Sequence, residues 1–196
     1  PDYKIGYVIA YVQGVAAYEE ADDLFCKKMV ENYEKTLEME ETYGDACENL
    51  ADYYQRLYQK EYRSEDFEKA IGYASRQLKA RENCYYLVHR GLIYMNAMEL
   101  DQAMADFHKA LEYVDDDWAA WNNLGCCYKY RGEFEKAIEH FQKSVDCMDG
   151  AESVLPYSNM ADCYEAMGDY RKAIECYEKD LEMFPNYQSF WEEIGD

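Results

Sequence analysis

Proline is scarce in this chain of 196 residues; only three occur, so little interrupts a helix. Pro156 suits the first turn of a helix, where its missing N–H costs little, and Pro185 suits the close of a helix that ends near Phe184. Between Ala17 and Thr42 there is neither glycine nor proline, so a helix there is either unusually long or broken near Tyr33. Basic side chains are few as well, 20 against 41 acidic ones, and the formal charge is −21. A surface of that sign repels phosphate backbones and anionic membranes, so no nucleic acid and no membrane is expected as a partner. A neutral or basic protein partner is favoured. No apolar run is long enough to span a bilayer, and no secretory signal is present. There are three histidines, and none of the eight cysteines stands in a Cys-x-x-Cys pair. Zinc-ligand spacing is therefore missing, and no metal and no cofactor is expected. The cysteines read as free thiols packed as small apolar groups in a reducing compartment, which points to a cytoplasmic location. Adjacent Cys126 and Cys127 are the one pair with a redox-active alternative. The run Asp115, Asp116 and Asp117 lacks the other oxygen ligands and the glycine of a calcium loop, and it reads as the cap of a helix beginning near Trp118. A Gly-rich phosphate loop, a nucleophile elbow and a catalytic carboxylate pair are all missing, so no enzymatic activity is expected.

What the chain has in quantity is tyrosine, 22 residues, within a composition that is 49% hydrophobic. These residues recur in a pattern. Trp121, Leu124 and Tyr128 fall on one helix face by steps of three and four, with Gly125 beside them. Gly132 follows at a turn, and Phe134, Ala137 and Phe141 form the inner stripe of a second helix. Tyr157, Met160, Ala161, Tyr164, Gly168, Tyr170, Ala173, Tyr177 and Pro185 take the same relative places downstream. A third start appears at Trp191, Ile194 and Gly195. The small residue of the second helix recurs at Ala70, Ala103, Ala137 and Ala173, with gaps of 103−70 = 33, 137−103 = 34 and 173−137 = 36. Upstream, Gly91 and Tyr94 match Gly125 and Tyr128, although Arg90 stands where an apolar residue is usual. Phe67, Glu68, Lys69, Ala70 and Ile71 echo Phe134 to Ile138. A helical bundle has no reason to repeat glycine, alanine and tyrosine in fixed register. The pattern resembles the tetratricopeptide repeat, a helix-turn-helix unit of about 34 residues.

That resemblance implies an all-α fold, a right-handed superhelical solenoid of stacked antiparallel helix pairs. It divides the chain, read as a single domain over 1–196, into repeats near 2–43, 44–83, 84–117, 118–153 and 154–187, with a partial repeat or capping helix at 188–196. The first unit, with Tyr18, Ala21 and Phe25, is the least regular. Tyr54 and Phe67 are 13 residues apart, where Tyr128 and Phe134 are 6. The surplus of about two helical turns reads as a lengthened helix. Glu31 with Lys35, Glu139 with Lys143 and Glu175 with Lys179 stand four apart in the order that favours helix ion pairs. A chain that opens on Pro1 and stops just after a repeat begins at Trp191 reads as a piece of a longer protein.

The resemblance also implies where binding occurs. The first helix of each pair lines a concave groove, and an asparagine there pairs with the backbone of an extended peptide in the family. The position two after Trp121 is Asn123, and the matching places are Asn49, His89 and Asn159. Asn122, Lys129, Tyr130 and Asp162 extend the same surface. Family members that clamp a chaperone's C-terminal carboxylate do so with a lysine near the start of the first helix. Ala119, Leu155 and Tyr85 stand there instead, so that clamp is not expected. The chain reads as a non-enzymatic scaffold that holds a peptide segment of a partner protein. Two alternatives remain open: a structural solenoid that forms a homo-oligomer through its terminal repeats, and a regulatory or adaptor arm of a larger enzyme, co-chaperone or transcriptional sensor.

Overall fold

The structure is a computed structural model, and it describes residues 23–40, 43–148 and 155–183. The expectations placed on Tyr18, Ala21, Pro185, Trp191, Ile194 and Gly195 lie outside those residues. The described residues form nine α-helices and no strand: α1 (Asp23–Met39), α2 (Gly44–Glu61), α3 (Ser64–Ala80), α4 (Cys84–Asn96), α5 (Leu100–Tyr113), α6 (Trp118–Tyr130), α7 (Phe134–Cys147), α8 (Leu155–Ala166) and α9 (Tyr170–Met183). They fall into two compact units, residues 1–99 and residues 100–196.

In the first unit the core is a strip between helices. Met29, Tyr33 and Leu37 of α1 meet Ala46, Cys47, Leu50, Ala51 and Tyr54 of α2, with Ala70 and Ala74 of α3 and Ile93 of α4 closing the strip. The steps of three and four residues along each helix produce this stripe. Tyr33 is buried at 1% exposure and α1 runs through it unbroken, which removes the alternative of a break there. α2 spans 18 residues where α6 spans 13, so the surplus near Gln55 is helix, as its length suggested. It ends at Tyr62, whose φ of 53° is left-handed.

In the second unit α6 and α7 form the most regular hairpin. Gly125 sits where a side-chain carbon would come within 2.5 Å of the Phe141 ring, so its lack of a side chain permits the approach of α7. Gly132 takes φ +75° in the turn and Gly168 takes φ +78° in the next one. Asp117 caps α6 by accepting the N–H of Ala120 at 2.8 Å. Ser144 of α7, fully buried, donates to the Trp118 carbonyl at 2.7 Å and ties the two helices together. Ala137 and Phe141 then share a core with Met160, Ala161 and Cys163 of α8 and with Ala173 and Cys176 of α9. Pro156 lies buried in the first turn of α8.

Lys143 and Lys179 do not follow the helix ion pairs read from their spacing. Lys143 lies 4.5 Å from the centre of the Trp121 ring and Lys179 lies 5.4 Å from that of Tyr157. One heptad earlier on the same helices, Lys136 and Lys172 lie over Tyr128 and Tyr164. Glu175 pairs with Arg171 instead. The aromatic faces of the first helix attract these ammonium groups while the lysine stems cover the seam. Sequence periodicity carries this signal, because each lysine stands 8 or 22 residues after its ring (136−128 and 172−164; 143−121 and 179−157).

Candidate functional site

The polar residues singled out in the second unit meet on the facing sides of α6 and α8. The Asn159 amide donates to Asn122 Oδ1 at 3.2 Å, and its oxygen accepts from Lys129 Nζ at 2.7 Å. Lys129 also donates to Asp162 Oδ2 at 2.9 Å. The Asn122 amide nitrogen lies 4.0 Å from Cys126 Sγ. Asn122 is buried at 6% exposure, whereas Lys129 and Asn159 are half-buried. Four of the candidate residues thus form one cross-linked strip. Asn123 is half-buried, with no hydrogen-bond partner among the described residues, and Tyr130 is exposed at the end of α6.

In the first unit the counterpart strip joins α2 and α4. His89 Nε2 meets Asp52 Oδ1 at 2.8 Å. Tyr85 donates its hydroxyl to Glu48 Oε1 at 2.5 Å, and Gln77 of α3 donates to Glu48 Oε2 at 3.2 Å. Asn49 turns back on its own helix and donates to the Asp45 carbonyl at 2.6 Å. Three rungs, Glu48–Tyr85, Asp52–His89 and Asn122–Asn159, share a separation of 37 residues. In the second unit the equivalent positions Asn123 and Asn159 lie 36 residues apart and the facing pair 37, so Asn159 bonds Asn122 and not Asn123; in the first unit the equivalents Asn49 and His89 lie 40 apart and the facing pairs again 37. Glu48 stands just before Asn49 on the groove side of the first helix, but Tyr85 and Gln77 were not candidates in the sequence. The 37-residue separation of polar pairs on first helices is the signal that finds Tyr85.

Burial pushes the Cys127 thiol up to about 12 and the Cys163 thiol up to about 11. Cys126 is also raised by burial, against a smaller opposing pull from Lys129. A thiolate is the reactive form, so these cysteines are poor nucleophiles. None of the eight cysteines is joined in a disulfide. Tyr85 is raised to about 12, first by its hydrogen bond to Glu48, so its hydroxyl remains a donor. Among the described residues no group of three His, Cys, Asp or Glu side chains could hold a metal ion. No described helix is long and apolar enough to cross a membrane.

Residues 118–186, which contain the Asn122–Asn159–Lys129–Asp162 strip, match the family model of the tetratricopeptide repeat. These residues are tetratricopeptide repeats. Among curated proteins the chain is similar to superkiller complex protein 3 of Homo sapiens, 27% identical over 117 residues, 58% of this chain. The chain spans only 7% of the length of that relative. Among solved structures it is similar to MamA 41-end from Desulfovibrio magneticus RS-1, with a TM-score of 0.73 and 17% identity over 94% of this chain and 96% of that one. It is also similar to YrrB, described as a TPR protein with an unusual peptide-binding site, with a TM-score of 0.61 and 19% identity over 83% of this chain and 79% of that one. At these identities the structures show the fold, an all-α arrangement of tetratricopeptide helix hairpins.

Proposed function

We propose that the chain holds a peptide segment of a partner protein against the first helices of its hairpins. Tetratricopeptide repeats are scaffolds for protein–protein interaction and are generally non-enzymatic. The observation that supports it is the braced polar strip of the second unit. Asn159 is held by Asn122 and Lys129 and still keeps a second N–H and a second lone pair. Asn123, next to Asn122 along α6, has its whole amide to offer. Side chains held in place before binding lose little conformational freedom on binding, so each hydrogen bond to a peptide N–H or C=O yields more. Tyr130, 52% exposed, supplies an apolar platform at the end of the strip. The excess of acidic side chains, 41 against 20 basic ones with a formal charge of −21, suits a neutral or basic segment. The test is Asn123→Ala. It leaves the braced amide intact, so folding by circular dichroism stays unchanged while affinity for peptides selected on the wild-type chain falls by at least fivefold. Unchanged affinity would remove Asn123 and the amide ladder from the site.

A further inference from the structure

The two strips differ in how their carboxylates are compensated, and the difference bears on what each takes. In the second unit Asp162 is paired with Lys129, and Asp101 with Arg131. In the first unit Asp66 is paired with Arg63 at 2.7 Å. Glu48 and Asp52 are held otherwise. Their donors are Tyr85, Gln77 and His89, none of them lysine or arginine. These two acids stand one turn apart on α2, and their charges face α4 without a fixed cation. An independent feature marks the same place. Gln77 is 1% exposed, and its amide nitrogen reaches Glu48 and the Gly44 carbonyl, but its oxygen has no donor. His89 Nδ1 is likewise buried without a partner. A buried acceptor without a donor is costly, so the Gln77 oxygen marks a place where an added donor would be stabilising. Tyr85, bonded to Glu48, 60% exposed and packed edge-on against Tyr86 with ring centres 5.4 Å apart, offers an open aromatic face.

We infer that the α2–α4 face of the first unit recognises an arginine side chain of the bound segment. This rests on the peptide-scaffold reading and names the chemistry of one subsite. A guanidinium brings five N–H donors in one plane, pairs with a carboxylate through two of them, and stacks on an aromatic ring. Glu48 and Asp52 supply the carboxylates and Tyr85 the ring. A lysine ammonium compensates the charge but neither stacks flat nor forms the paired contact.

The experiment has two arms. In the first, N-acetyl-arginine amide is titrated into the full chain, and the Tyr85 and His89 side-chain resonances are followed by NMR, with N-acetyl-citrulline amide as the neutral isostere. Saturable shifts are expected with arginine, at least tenfold weaker binding with citrulline, and loss of the shifts in Glu48→Gln/Asp52→Asn, whose amides keep the shape and the fold. The absence of saturable shifts, or equal binding of citrulline, overturns the inference. In the second arm, dodecamer peptides displayed on phage are selected on the full chain. Selected peptides with an arginine whose replacement by citrulline costs tenfold or more, and which lose that preference on Glu48→Gln/Asp52→Asn, support it. Peptides that bind well but ignore both changes overturn the arginine subsite and leave the scaffold reading standing. Failure to select any peptide tells against the scaffold reading, and the first arm still decides the subsite.

Discussion

Gly125→Ala tests whether the hairpin seam is set by a missing side chain. An alanine Cβ at this position would lie 2.5 Å from Cδ1 and from Cε1 of Phe141, and 2.9 Å from Cζ. Phe141 is fully buried, so its ring cannot swing into solvent to make room. Forcing a methyl into so tight a contact costs roughly 1–3 kcal/mol. The helix gains about 1 kcal/mol from replacing glycine with alanine, because the unfolded chain loses freedom. The net expectation is a loss of about 1 kcal/mol. Phe141→Leu removes the two outer ring carbons that clash, so the double variant should be more stable than the sum of the single changes by about 1–2 kcal/mol. The next hairpin points the same way. There Ala161, fully buried, replaces the glycine, and the facing Tyr177 is only half-buried. Urea denaturation followed by circular dichroism and by tryptophan fluorescence, which Trp118 and Trp121 of α6 place in this hairpin, measures all four proteins. If Gly125→Ala gained the full propensity increment and the cycle were additive, the close approach of α7 would not be what requires glycine.

Other positions give separate tests. Met98 holds φ 62° at the turn place that Gly132 fills one repeat later (132−98 = 34); Met98→Gly should therefore raise stability by about 0.5–1 kcal/mol, read as a higher urea midpoint. His140 lies between Trp121 and Tyr128, and burial lowers its pKa below 6.5, with Lys143 and His108 adding to the shift and the Lys136 carbonyl opposing it. The unfolded chain then binds the proton more readily, so its stability is present above about pH 6.5 and is lost as pH falls through the lowered folded value. His140→Gln should flatten that loss when urea midpoints at pH 7.5 and pH 5 are compared. Lys129→Met breaks the contacts to Asn159 and Asp162 and should cost about 1 kcal/mol, a figure discounted for the exposure of Asp162. Hydrogen exchange in α8 would show it as faster opening.

Much of the fold was legible because each repeat element carries its own physical requirement. Gly132 marks a turn of positive φ, Gly125 a close crossing, and Tyr128 with Phe134 the seam between helices. Each of these can be read one residue at a time, and their recurrence gives the register. The long α2 was also legible, since a surplus of residues without glycine or proline has few ways to fit other than as added helical turns. The candidate site was only partly legible. Asn123 and Asn159 are equivalent by register, but the bond runs from Asn159 to Asn122. Lys143 and Lys179 looked like members of ion pairs on one helix surface, yet they lie over aromatic rings on the preceding helix. Gln77 gave no sign of its place under Glu48.

Helix identity, hairpin spacing and the sign of the surface charge follow from the order of residues alone, because they depend on local periodicity and on composition. Which polar groups satisfy one another, and which carboxylates are left without a cation, was decided only by the packing of neighbouring hairpins. A hydrogen bond requires about 3 Å and the right direction, and a shift of one residue along a facing helix turns a side chain by about 100° and changes its partner.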